Sequence, residues 1–154
     1  MRPQRLARVT QVSIIIPSDI ASRMFLDRAH RAHRARGYGS GMNVLIVDDY
    51  RDFVEVFSQV AELYGHTAYV ATSAAEAMHA AKIMRPDIVF LDIGLTDADG
   101  IEVCRFIRTL LPRRSSRIVA ISGYADMERE CDPALFDGFL LKPISMHAFE
   151  AWLK

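Results

Sequence analysis

The chain has 154 residues, 51% of them hydrophobic, and its 19 Lys and Arg balance its 19 Asp and Glu. That length allows one domain with a substantial core, and the composition excludes a low-complexity or membrane-embedded chain. Cys104 and Cys131 lack the spacing of a metal site, so we expect free thiols in the cytoplasm.

The balanced charge conceals a split between two parts of the chain. Residues 1–42 carry eight arginines against two aspartates, a net charge of +6, and residues 43–154 carry eleven Lys and Arg against seventeen Asp and Glu, a net charge of −6. We interpret residues 1–41 as a basic, disordered N-terminal extension and residues 42–154 as the folded domain. One interpretation is that translation of the natural protein begins at Met42, so that residues 1–41 are an upstream extension. Binding of its arginines to nucleic acid or anionic lipid is the alternative.

An apolar run ends in two adjacent carboxylates at residues 43–49, NVLIVDD. A short run of this kind is typical of a strand buried on both faces of a parallel sheet. Asp48 and Asp49 would then lie at the carboxyl end of a strand, where open α/β sheets bind their ligands. Adjacent carboxylates repel each other, and a cation or water relieves that repulsion. An acidic turn before a helix is the alternative for this stretch taken alone.

The rest of the chain alternates between helical and strand patterns. The apolar spacing and the turn residues predict helices at 50–64, 73–85, 100–111 and 145–154, and a brief helical segment between 126 and 136 that Pro133 interrupts. Strands are predicted at 67–71, 87–92, 117–122 and 139–142. The alternation indicates right-handed crossovers and a parallel sheet with helices on both faces.

Three of the later strands end in polar residues of different kinds. They are Asp92, Ser122 and Lys142. Because the carboxyl ends of parallel strands meet at one edge of a sheet, we expect these side chains to converge with Asp48 and Asp49. Each residue alone would be weak evidence, but three carboxylates, a hydroxyl and an ammonium at one edge indicate a functional site.

Residues 43–154 resemble the receiver domain of two-component response regulators. The matching stretches are VLIVDD at 44–49, DIVFLD at 87–92, IVAISG at 118–123 and LLKP at 140–143. The resemblance implies an α/β, flavodoxin-like, doubly wound fold. Its five-stranded parallel sheet has the strand order 2-1-3-4-5, with helices on both faces.

The resemblance also implies a chemistry for the strand ends. Asp92 would accept a phosphoryl group, and Mg²⁺, or Mn²⁺ in its place, would be held by Asp48, Asp49, Asp92 and the backbone carbonyl of Gly94. Magnesium prefers such oxygen ligands and keeps several waters. The protein would be a phospho-acceptor that promotes its own phosphorylation and dephosphorylation, not a dedicated enzyme.

Lys142 and Ser122 would contact phosphoryl oxygens, by the same resemblance. Ser122 would move toward the phosphate while Phe139, three residues before the lysine, turns inward. Ordinary core packing is the alternative for Phe139. The bond between Lys142 and Pro143 is expected to be cis.

The implied partners are a histidine kinase or histidine phosphotransfer protein and a downstream protein target, with a homodimer as a further option. The sequence contains no recognisable DNA-binding domain and no membrane-spanning run, so we expect a stand-alone receiver or a receiver cut from a larger protein. A pseudo-receiver that docks without phosphorylation is the main alternative. A haloacid-dehalogenase-type phosphatase fits poorly, because Gly94 occupies the position of its second acid.

Two features depart from the family pattern. Thr96 stands where proline is common, which predicts a looser loop after Asp92. The span from Ser122 to Lys142 is also shorter than in the family, and it contains Pro133. A short or broken fourth helix is therefore expected, with an altered output and dimer surface.

Overall fold

The computed structural model describes residues 41–154, and the predictions about the N-terminal extension lie outside that range. The described chain forms β1 (Asn43–Val47), α1 (Arg51–Leu63), β2 (Thr67–Ala71), α2 (Ala74–Met84), β3 (Ile88–Asp92), α3 (Gly100–Leu110), β4 (Arg117–Ser122), α4 (Met127–Glu130), β5 (Gly138–Leu141) and α5 (Met146–Glu150). Every predicted element is present. None of the helices in this range is long and apolar enough to cross a bilayer.

All five strands are parallel, and their order in the sheet is β2-β1-β3-β4-β5, as predicted. Strand β1 pairs with both β2 and β3, so that Val47 lies opposite Ala71 on one side and Leu91 on the other. The chain reverses its direction of winding between β1 and β3. Such a reversal opens a crevice at the carboxyl ends of the strands, which is where Asp48 and Asp92 lie.

Helices cover both faces of the sheet because each strand is apolar on both sides. In β1, Val44 and Ile46 pack with α1 and α5, whereas Leu45 and Val47 pack with α2 and α3. All four side chains are buried. Burial of a side chain of this size contributes about 1.5–3 kcal/mol, so the continuous apolar runs anchor the two layers.

Local sequence signals set the helix ends. Gly65 follows α1 with a φ of 83°, a conformation that favours glycine. At the start of α2, the Ser73 hydroxyl accepts the N–H of Glu76 at 3.2 Å, as in a capping box. The Glu76 carboxylate, however, accepts the N–H of Thr72 at 2.7 Å rather than that of Ser73.

The carboxyl-terminal helices are shorter than the rest. Helix α4 has only four residues, which confirms the expectation of a short fourth helix. Helix α5 ends at Glu150 rather than continuing to the end of the chain. Beyond it, the N–H groups of Trp152 and Leu153 bond to carbonyls three residues earlier, in turns that bury the Leu153 side chain.

Candidate functional site

The carboxyl edge of the sheet brings the predicted polar residues together. Asp48 and Asp49 follow β1, Asp92 ends β3, Ser122 ends β4 and Lys142 follows β5. Asp48, Asp92 and Ser122 are buried, whereas Asp49 is exposed. Residues that are far apart in sequence therefore share one site, as the parallel topology predicts.

Lys142 is the positive centre of this edge. Its Nζ atom lies 2.5 Å from Oδ2 of Asp48 and 3.0 Å from Oδ2 of Asp92. Burial disfavours the charged ammonium, but the hydrogen bonds and charges of the two aspartates outweigh burial and raise the pKa of Lys142. The ammonium is therefore charged at neutral pH. The Lys142–Pro143 bond is cis, as expected.

Asp48 is the most enclosed of the three carboxylates. Burial raises its pKa, and the favourable contacts with Lys142 and with the N–H of Tyr50, which donates to Oδ1 at 2.9 Å, do not fully offset the effect of burial. A raised pKa means that the folded protein holds this negative charge at a cost. A second cation beside Asp48 would reduce that cost.

The carboxylate cluster fits a divalent cation. One oxygen from each of Asp48, Asp49 and Asp92 lies within 4.8 Å of the other two. Lys142 compensates only one of the three negative charges. The buried Oδ2 of Asp48 touches the ammonium but has no hydrogen-bond partner of good geometry within residues 41–154. An all-oxygen donor set with excess negative charge matches the preference of Mg²⁺.

The loop after β3 orients Asp92. The N–H of Gly94 donates to Oδ1 of Asp92 at 2.9 Å, so each carboxylate oxygen has its own donor. The departure at Thr96 does not leave the loop unsupported, because Asp97 accepts the N–H of Ala74 at 2.9 Å. This bond ties the loop to the start of α2.

Ser122 and Phe139 lie on neighbouring strands but in different surroundings. The Ser122 Oγ atom accepts the N–H of Tyr124 at 3.0 Å, which leaves the hydroxyl hydrogen able to donate. Phe139 lies opposite Ala120 and packs, half-buried, against the core layer beneath α2 and α3. The structure shows core packing for Phe139, and its switching role stays a prediction.

One contact at this edge was not predicted from sequence. Nζ of Lys142 lies 5.1 Å from the ring centre of Phe53 in the first turn of α1. The helical pattern at 50–64 predicts that Phe53 lies on the apolar face of α1, but it does not predict a contact with Lys142. Its position only four residues after Asp49 was the available signal, since the first turn of α1 directly follows the acidic strand end.

The fold and this lysine-bearing acidic edge define the class of receiver modules that act in two-component signalling. The chain belongs to the response regulator receiver domain family, whose model matches residues 44–154. Members of this family are signalling modules rather than dedicated enzymes.

Known proteins agree with this assignment. The chain is 28% identical over 116 residues to the alkaline phosphatase synthesis transcriptional regulatory protein PhoP of Bacillus subtilis, covering 72% of this chain and 46% of that protein. It is 27% identical over 115 residues to the polar-differentiation response regulator DivK of Brucella anthropi, and the match covers 73% of this chain and 93% of DivK. A receiver domain structure from Methylobacillus flagellatus matches with a TM-score of 0.65 and 32% identity, and the match covers 74% of this chain and 97% of that one. The chain thus spans less than half of PhoP but most of DivK.

Proposed function

We propose that this receiver accepts a phosphoryl group on Asp92, with the help of Mg²⁺, and thereby switches a surface that binds another protein. The observation that carries the proposal is the 3.0 Å contact between Lys142 and the buried Asp92, beside the carboxylates of Asp48 and Asp49. The proposed donor is a histidine kinase or a histidine phosphotransfer protein in the cytoplasm. The proposed receiver is residues 42–154, and residues 1–41 are its basic extension.

In the proposed reaction, a carboxylate oxygen of Asp92 attacks the phosphorus of a phosphohistidine. A P–O bond forms as the P–N bond breaks, and the departing imidazole takes up a proton. The donors from Gly94 and Lys142 hold the two oxygens of Asp92 in a fixed plane. This pre-orientation lowers the entropy that the transfer must lose.

Charge stabilisation would come from the other residues at the same edge. Lys142 moves from a carboxylate oxygen to a phosphoryl oxygen, and Ser122 donates its free hydroxyl hydrogen to another. Asp48, Asp49, Asp92 and the Gly94 carbonyl would hold Mg²⁺, which supplies positive charge to the phosphoryl oxygens in a loose transition state.

The proposed switch follows from the added charge. A phosphoryl group brings close to two negative charges to the strand edge. A donating Ser122 would draw the following loop toward the phosphate, and inward rotation of Phe139 would accompany that movement. The affected surface is built by α4, β5 and α5, where Leu141 and Met146 are exposed. A downstream protein is the proposed occupant of this surface, and a second copy of the chain is the alternative.

The proposal is tested by covalent phosphorylation of the full chain. Incubation with acetyl phosphate and Mg²⁺ is followed by intact mass measurement, with and without a chelator. We expect one added phosphoryl group that disappears in Asp92→Asn and in the absence of metal. Asp126→Asn is the matched control, because Asp126 is exposed and its side chain caps nothing.

The opposite results would separate the alternatives. A wild-type protein that takes up no phosphoryl group with Mg²⁺ present would favour a docking module that works without phosphorylation. An adduct that persists in Asp92→Asn would place the acceptor at another residue.

A further inference from the structure

We infer that Phe53 is a positioning residue for Lys142, whose ring keeps the ammonium at the phospho-accepting carboxylate. This inference rests on the proposed function. The distance of 5.1 Å between the Lys142 Nζ atom and the ring centre lies within the range of about 6 Å over which a cation is attracted to an aromatic face.

The two carboxylates contact the Lys142 ammonium from one side only. Two contacts, to Oδ2 of Asp48 and Oδ2 of Asp92, fix the ammonium from the side of the carboxylates. The Lys142 side chain is nevertheless 28% exposed, so it has room to adopt other rotamers. The Phe53 ring supplies a further contact to the ammonium in addition to the two carboxylates.

The nature of the ring contact suits a lysine that must change partners. During transfer, Lys142 leaves an oxygen of Asp92 for an oxygen of the phosphoryl group. Hydrogen bonds to the carboxylate are directional and are lost in this exchange, whereas attraction to the face of Phe53 does not depend on one N–H direction. The ring therefore retains the ammonium through the exchange and raises the fraction of molecules with Lys142 in place.

The ring itself is held by rigid elements. Phe53 packs against Phe57 one helical turn later, with 4.4 Å between ring centres. Phe57 packs against Phe149 of α5 at 4.7 Å, and Phe149 against Phe90 of β3 at 4.5 Å. Phe90 precedes Asp92 by two residues, so these rings connect the position of Phe53 to the strand that carries the acceptor. A site built on packed elements in this way holds its geometry well.

Core filling is the simpler explanation of Phe53, and it makes a different prediction. If Phe53 only fills space, any apolar side chain of similar size would serve as well. If the aromatic face matters, Tyr would replace Phe53 and Leu would not. The distinction calls for variants that differ in the ring rather than in hydrophobicity.

The first measurement is the initial rate of phosphorylation of the full chain by acetyl phosphate with Mg²⁺. We expect Phe53→Leu to react about two- to tenfold more slowly than the wild type, and Phe53→Tyr to recover most of the rate. Phe136→Leu, which removes a buried ring from the opposite core layer, controls for lost core packing. Its rate is expected to stay near that of the wild type. A Phe53→Leu rate equal to that of Phe136→Leu would overturn the inference.

The second measurement does not need phosphorylation. Because Nζ of Lys142 lies over the Phe53 ring, we expect the ring current to shift the NMR signals of the Lys142 ε-methylene protons upfield. Phe53→Leu should abolish that shift, and Phe53→Tyr should keep it. A wild-type protein that forms no phosphoryl adduct would contradict the proposed function but not the ring contact. Loss of the shift in Phe53→Leu would then still support the ring contact, and an unchanged shift would overturn it.

Discussion

Arg108 and Asp137 form an ion pair at the amino edge of the sheet, on the side opposite the proposed phosphorylation site. Their Nη2 and Oδ2 atoms are 2.5 Å apart, and the two side chains are only 9% and 16% exposed. The same carboxylate accepts the N–H of Ile118 at 2.8 Å and a second guanidinium, that of Arg113, at 2.8 Å. Since Asp137 directly precedes β5 and Ile118 lies in β4, this network joins the two strands to α3.

Asp137→Asn is therefore expected to destabilise the protein. The substitution removes the negative charge from between two arginines and leaves the enclosed Arg108 without a counter-ion. We expect the free energy of unfolding to fall by about 2–3 kcal/mol. Urea unfolding at neutral pH measures this change, and Asp126→Asn, at an exposed site, provides the baseline for loss of one negative charge. A loss no larger than that of Asp126→Asn would show that the network contributes little.

The same carboxylate predicts a pH dependence of stability. Burial tends to raise the pKa of Asp137, but the Ile118 N–H and the two arginines outweigh burial and lower it below the ordinary 3.8. A carboxyl group with a lowered pKa stabilises the fold above its unfolded pKa and loses that contribution as the pH falls through its folded pKa. The stability difference between wild type and Asp137→Asn should therefore be full at neutral pH and shrink below pH 3.8.

The comparison with Asp137→Asn is needed because the pKa of Asp48 is shifted in the opposite direction. Asp48 has a raised pKa, so its ionisation lowers the free energy of unfolding as the pH rises above 3.8. In a pH series of the wild type alone, this loss would oppose the stability that Asp137 contributes. Urea midpoints for both proteins across an acid series isolate the effect of Asp137. A difference that stays constant with pH would contradict the lowered pKa.

The sequence predicts the sheet and the site for the same physical reason. Strands buried on both faces appear as unbroken apolar runs, such as residues 44–47, and the residue that ends each run lies at the shared edge. These runs therefore predict that Asp92 and Lys142 lie at one edge of the sheet, whereas the strand order and the pairing of the two residues are implied by the resemblance to receiver domains. The contact of Phe53 with Lys142 is not predictable in this way, because helical periodicity gives the buried face of α1 but not its neighbour. The pairing of Asp137 with Arg108 has no local pattern at all, since it depends on how two distant segments pack.

Asp49→Asn should separate metal binding from folding. Three carboxylates share one ammonium at the edge, and Asp49 is the exposed member of the cluster. Without metal, removing its charge relieves repulsion, and we expect a gain of about 0.5–1 kcal/mol in the free energy of unfolding. With Mg²⁺, the wild type should gain stability by mass action, whereas the variant should gain little. Thermal unfolding with and without MgCl₂ measures both effects, with Asp126→Asn as the charge control. An Asp49→Asn protein that Mg²⁺ stabilises as strongly as wild type would place the metal elsewhere.

Gly100→Ala should disturb the site through the backbone. A Cβ atom on Gly100 would lie 2.4 Å from the Cα atom of Ile93 and 2.6 Å from the carbonyl oxygen of Asp92. Backbone atoms cannot rotate away as a flexible side chain can, so the end of β3 or the start of α3 must shift. We expect a loss of about 2 kcal/mol in the free energy of unfolding and slower phosphorylation by acetyl phosphate, because the Asp92 carboxylate moves with its backbone.

Gly123→Ala is the matched stability control for that variant. A Cβ atom at Gly123 would meet nothing within 4 Å, so the alanine should leave the free energy of unfolding unchanged or slightly raise it by restricting the unfolded chain. Urea unfolding of both variants compares the two glycines directly. If Gly100→Ala unfolds at the wild-type midpoint, the close approach of α3 to β3 does not constrain the acceptor strand, and Asp92 must owe its position to Gly94 and Lys142 alone.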